Sequence, residues 1–119
     1  TCSALVPVRS LKKYSAAMKP VLSGEKILTE KQTTALAKSL DQAVQSLLAP
    51  KGGLPRRPWY RHLIYAPGFY TGYGVKTLPG IREGIEERHW AEAQEQIEAA
   101  AAALNRFADA ADAATNVLK

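Results

Sequence analysis

Residues 90–118, WAEAQEQIEAAAAALNRFADAADAATNVL, decide the fold class. Trp90, Ile97, Leu104, Ala111 and Leu118 recur at heptad spacing, and Ala93, Ala100, Phe107 and Ala114 recur on the interleaved phase. Alternating steps of three and four draw one apolar seam along a helix, the pattern of helices packed at a shallow angle. At 1.5 Å per residue the seam is ~42 Å long. Residues 99–103 are all alanine, and small side chains let a neighbouring helix come close. The plainest role is a bundle core element. Glu92, Glu95 and Glu98 make the polar face acidic, which disfavours a membrane-surface role.

Immediately upstream, Pro79 opens a short helix over 79–87, with Thr77 as the expected cap and Ile81 and Ile85 on one face. The apolar phase slips at Arg88, so a break is expected there before the long helix begins near 89. At the other end of the chain, Val8, Leu11, Tyr14 and Met18 predict a first helix over 8–18, started by Pro7 and stopped by Pro20. The next helix starts at a capping box, Thr29-Glu-Lys-Gln32, in which the hydroxyl and the amide side chain satisfy each other's backbone N–H groups. Its stripe is Leu36, Leu40, Ala43 and Leu47, and the segment APKGGLP ends it.

Between these helices the periodicity fails. Residues 65–80, YAPGFYTGYGVKTLPG, carry Gly68, Gly72, Gly74 and Gly80 with Pro67 and Pro79, and among them Phe69, Tyr70 and Tyr73. A loop this long inside a compact domain is usually functional or disordered, and this one is too aromatic for disorder. The segment HLIYA suits a short extended run but predicts no sheet. The expectation is therefore an all-α domain spanning residues 1–119. It is a four-helix-type bundle with a long ordered loop between the second helix and the last two. The short first helix leaves part of the seam to be covered from outside the chain.

Composition narrows the function. The 119 residues suit one domain, and no apolar run reaches the ~20 residues of a membrane span. The N-terminal stretch is too short in apolar residues for a signal peptide, and a start at Thr1 rather than Met reads as trimmed. Cys2 is alone, so no internal disulfide forms. His62 and His89 lack metal-ligand spacing; His62 reads as a hydrogen-bonded structural residue and His89 as an exposed one. Carboxylates over 83–98 read as a solvated face, and no nucleophile elbow or phosphate loop is present. The chain by itself reads as no enzyme, with no metal or cofactor of its own.

The net charge of +5 is unevenly spread. Residues 51–82 hold Lys51, Arg56, Arg57, Arg61, Lys76 and Arg82 without one acid, and residues 83–112 hold eight acids. The basic middle suits nucleic acid, or an acidic surface on this chain or a neighbour. RRPWYRH, residues 56–62, interleaves arginine and aromatic side chains as a single-strand binder does. The plainer reading anchors Trp59 and Tyr60 on a core with the arginines at the rim.

RPWYRHLIYAPGFYTGYGVKTLPGIREGIEERHWAEAQEQI, residues 57–97, resembles the C-terminal transferrin-receptor-like dimerisation domain of the zinc-dependent glutamate carboxypeptidase family. The carrying motifs are RHLIYAP, a tyrosine in the following loop, PGI, and a tryptophan opening an alanine-rich helix. The resemblance implies a homodimerising module at the end of a larger peptidase, with the zinc held in a separate protease domain. In that family the loop after YAP reaches into the substrate pocket, where a lysine–tyrosine pair contacts a C-terminal glutamate. Tyr73 matches that tyrosine, with Tyr70 beside it, and Pro67, Gly68, Gly72, Gly74 and Pro79 would shape the loop. Gly72 stands where the family has lysine, so glutamate specificity does not carry over, and an aminopeptidase- or dipeptidase-like preference stays open. Trp90, Ile97, Leu104, Phe107 and Leu118 would serve packing or the dimer seam. The expected partners are a second copy and the protease domain, with no nucleic acid and no membrane contact. The basic middle would then face that domain or its acidic substrate. The family's usual setting is extracytoplasmic; a nucleic-acid-binding module or an unrelated adaptor bundle are the alternatives.

Overall fold

A computed structural model describes residues 5–70 and 73–119 of the chain; Cys2 and Gly72 lie outside the described residues. The described residues are mostly helical. In chain order they form α1 (Val6–Leu22), α2 (Glu30–Ser46), β1 (Tyr65–Pro67), β2 (Val75–Thr77), α3 (Pro79–Glu86) and α4 (Trp90–Leu118). The chain divides into two compact units. One comprises residues 1–46 and 104–119, the other residues 47–103.

In the first unit, α1 is longer than its sequence signals suggest. Pro20 lies inside the helix rather than after it. Proline removes one N–H and crowds the preceding turn, yet the helix runs on to Leu22 because Met18 and Val21 pack on a cluster of Leu36, Ala114 and Leu118. Here tertiary burial outweighs the local penalty. The capping box at α2 forms as read. The Gln32 N–H donates to Thr29 Oγ1 at 3.1 Å, and the Thr29 N–H donates to Gln32 Oε1 at 3.0 Å.

Helix ends leave backbone groups that need partners, and this unit supplies them from side chains. Gln32 Nε2 donates to the Val117 carbonyl at 3.2 Å, and Lys26 Nζ donates to that of Leu118. The Ser46 carbonyl, at the end of α2, accepts from Arg106 Nη2 at 3.0 Å.

The second unit holds a small antiparallel hairpin that the sequence reading did not include. The register is Tyr65 opposite Thr77, Ala66 opposite Lys76 and Pro67 opposite Val75. Its core is Leu54, Leu63, Ala66, Ala49 and Ala103. The expected cap of α3 also differs. Leu78, not Thr77, is the N-cap residue; it sits at φ 48°, ψ 56° and makes no side-chain cap bond. The Leu78 N–H donates instead to the Ile64 carbonyl at 2.6 Å, so the chain leaving β2 stays tied to the hairpin.

The break near Arg88 is a left-handed helix stop. Arg88 has φ 61°, its N–H donates to the Ile85 carbonyl at 3.1 Å, and the His89 N–H donates to the Gly84 carbonyl at 2.7 Å. This pair of bonds is the Schellman arrangement, usually built on glycine.

Burial along α4 divides the seam. Trp90, Ile97, Leu104, Ala111 and Leu118 are 62, 44, 36, 6 and 2% exposed. A heptad repeat drifts by about 20° per step on a straight 3.6-residue helix. The first three residues therefore lie progressively off the buried stripe, which Ala93, Ala100, Ala103, Ala111, Ala114 and Leu118 make instead. Leu118 belongs to the core of its unit, and Phe107 is half-buried beside an apolar cleft of about 190 Å³ lined also by Leu11, Tyr14 and Leu40.

Candidate functional site

The candidate site is the hairpin and its tip. Pro67 closes β1, and beyond it the Gly68 N–H donates to the Gly74 carbonyl at 3.1 Å, extending the ladder toward the turn. Gly68 is buried where the chain leaves the sheet, and Pro79 is buried at the first turn of α3. Phe69 meets Tyr70 edge-on, ring centroids 4.7 Å apart. Tyr70 is 77% exposed and Tyr73 fully so. The tip thus presents two tyrosines to solvent on a base that is well tied. Gly72 falls outside the described residues, so its part in the loop path is not described.

That base is organised by two residues which the sequence reading placed at the surface. Arg57 and Glu83 are 3% and 4% exposed. Arg57 Nη2 donates to Glu83 Oε2 at 2.7 Å, and Arg57 Nη1 donates to the Pro67 carbonyl. The second Glu83 oxygen accepts the Phe69 N–H at 2.7 Å. The Arg57 guanidinium also lies 5.6 Å from the Tyr60 ring centre and 5.8 Å from that of Phe69, within cation–π range. Arg57 Nε is buried with no hydrogen-bond partner among the described residues. Removing one member of such a buried pair strands the other charge and typically costs about 3–5 kcal/mol.

Two expectations are overturned here. Trp59 does not anchor the RRPWYRH loop; it is 72% exposed, and Arg57 is the buried residue. The carboxylates after 83 are not all a solvated face, because Glu83 is interior. A helix-period count cannot separate Glu83 from Glu86, and nothing in the local sequence separates Arg57 from Arg56.

The basic middle is largely engaged by this chain's own acids. Arg56 pairs with Glu92 at 3.1 Å and Glu87 at 3.3 Å. Lys76 Nζ lies 2.5 Å from Glu86 and 4.0 Å from Glu83, and Arg82 lies 3.0 Å from Glu86. Hydrogen bonds from Lys76 first, then Arg82, hold the Glu86 carboxyl below its ordinary pKa. Arg61 donates to the Ala49 carbonyl. Lys76 is therefore not a free substitute for a lysine at position 72.

His62 accepts the Ile64 and Tyr65 N–H groups at Nδ1, each at 3.3 Å, and burial lowers its pKa. This is the structural histidine the sequence suggested. His89 is half exposed beside Glu87. Among the described residues no cluster of His, Cys, Asp or Glu is placed to hold a metal ion. No helix among them is long and apolar enough to cross a membrane.

Helices α3 and α4 come close at Gly84. A Cβ built on Gly84 would stand 2.9 Å from Ala93 Cβ and 3.0 Å from its Cα and N, so α3 and α4 touch backbone to backbone there. The profile of the transferrin receptor-like dimerisation domain matches residues 8–112. The chain belongs to this family. Among curated relatives it is 46% identical over 54 residues to a probable glutamate carboxypeptidase of Arthroderma benhamiae. It is 40% identical over 57 residues to another of Arabidopsis thaliana. These alignments cover 45% and 42% of the chain and 7% and 8% of the relatives. Membership of this dimerisation-domain family supports a role in self-association.

Proposed function

We propose that residues 1–119 act as one dimerisation domain of a zinc-dependent exopeptidase, and that the 65–80 loop enters the substrate pocket of the parent's protease domain. The observation that carries the loop assignment is the hairpin tip. Tyr73 is fully exposed on a buried, ion-paired base, as a side chain lent to a neighbouring site would be. Tyr70 flanks it. Pro67, Gly68, Gly74 and Pro79 set the loop path. Zinc would belong to the protease domain. With glycine at 72 and Lys76 committed to Glu86, the loop favours a substrate end other than glutamate.

Self-association is assigned to the flank of α4 that Trp90, Ile97 and Leu104 leave exposed, since large apolar side chains suit a stable dimer core. Sedimentation equilibrium of the wild-type chain and of Trp90→Glu with Ile97→Glu tests this. The wild type should dimerise and the double variant should shift to monomer with unchanged helicity. Equal association constants would refute the surface. The nucleic-acid reading of the basic middle is weakened, because Arg56, Arg57, Lys76 and Arg82 already face carboxylates.

A further inference from the structure

We infer that Arg57 and Glu83 are positioning residues for the tyrosine-bearing tip, setting where Tyr70 and Tyr73 stand and thereby the fit of the substrate they would meet. The inference rests on the pocket reading of the loop. The geometry is specific to the loop's exit from the sheet. Arg57 holds the Pro67 carbonyl, and Glu83 holds the Phe69 N–H, so the pair grips the chain on both sides of Gly68. Gly68 is the last ladder residue before the tip. On the opposite strand, Lys76 reaches Glu86 and approaches Glu83, so α3 carboxylates hold both strands of the hairpin. Arg57 and Arg56 further border the Phe69 ring, which in turn packs edge-on against Tyr70.

An ion pair placed only for core stability would have its contacts within the core. This one directs four of its hydrogen-bonding atoms, two at the peptide groups that launch the loop and two at each other. Two charged groups held to 3% and 4% exposure are a costly arrangement that apolar side chains would often match in stability. Their gain is direction: a guanidinium and a carboxylate fix planar, charge-assisted bonds where apolar packing would leave the exit angle loose.

The test is residue-resolved hydrogen exchange on the 119-residue chain, for Glu83→Gln and for the double variant Arg57→Met with Glu83→Leu. The double variant removes both charges together and so avoids stranding one of them. The expected result is at least tenfold faster exchange at Gly68 and Phe69 in the double variant, with α1 and α2 amides unchanged. Unchanged exchange at those two amides in a folded double variant would overturn the inference. So would loss of protection throughout the chain in both variants, which would make the pair a determinant of folding instead. A second arm uses the intact parent and compares KM with kcat. Positioning predicts a KM raised about tenfold in the double variant, with kcat changed less than twofold, and a similar rise for Tyr73→Phe. Faster loop exchange with KM unmoved in both would leave the pair as a loop-positioning device and refute the pocket reading. A raised KM for Tyr73→Phe with loop exchange unmoved would do the reverse.

Discussion

Replacing Gly84 with alanine probes a close helix contact in the second unit. The new methyl carbon would sit 2.9 Å from Ala93 Cβ and 3.0 Å from Ala93 Cα and N. Carbon atoms are at ease near 3.5–4.0 Å, so α3 and α4 would have to part by roughly half an ångström or more. Overpacking of this kind costs about 1–3 kcal/mol, while alanine regains up to about 1 kcal/mol of helix propensity. The expected net loss is about 1–2 kcal/mol. Gly80 is the internal control. A methyl there meets only the Gln96 side chain, at 2.3 Å from Oε1, 2.7 Å from Cγ and 2.8 Å from Cδ, which must turn as a whole to clear it, whereas at Gly84 backbone atoms stand in the way. Gly80→Ala should therefore cost less than Gly84→Ala, because a side chain rather than a backbone has to give way. Urea unfolding of both variants, read by circular dichroism at equal slope, gives the comparison. Ala93→Gly placed in the Gly84→Ala background removes the 2.9 Å clash but not the 3.0 Å ones, so it should restore only part of the loss. A Gly84→Ala variant as stable as wild type, or a Gly80→Ala variant hit equally hard, would refute the backbone-contact argument.

Other outcomes are equally checkable. Thr29→Ala removes a cap whose bond to the Gln32 N–H is 3.1 Å and should cost about 1 kcal/mol in denaturant midpoint, an effect absent if solvent caps α2 as well. Tyr73→Ala should leave stability within about 0.5 kcal/mol, because the side chain is fully exposed; a larger loss would mean that it packs against the fold. His62 makes stability depend on pH in a defined direction. Its folded pKa is lowered by burial, so the stability it contributes is present above the unfolded value of 6.5 and is lost as pH falls through the folded one. Protonation at Nδ1 would also face a donor to the Ile64 and Tyr65 N–H groups. An NMR titration should show His62 titrating below 6.5, with the amides of residues 64 and 65 moving together. A His62 midpoint above 6.5 would contradict this.

Local signals in the sequence were enough for the helices. The Thr29–Gln32 capping box, Pro7 and Pro79 in first turns, and the phase slip at Arg88 each act within a few residues, so each is legible without the fold. The block from RHLIYAP to the final helix was likewise enough to place the chain in its family. The same local rules misjudged Pro20 and Thr77, where contacts from elsewhere outweighed them. They also could not place the hairpin: β1 and β2 are three residues each, too short to show a period, and they exist through pairing with each other. Tertiary structure alone chose Arg57 over Arg56 and Glu83 over Glu86. Both choices depend on which charge meets its opposite away from water, and that is a property of segments 26 residues apart in the chain. The same is true of the seam on α4. Its repeat is written in the sequence, but the drift between a heptad and a 3.6-residue helix left Trp90 and Ile97 exposed and put alanines in their place.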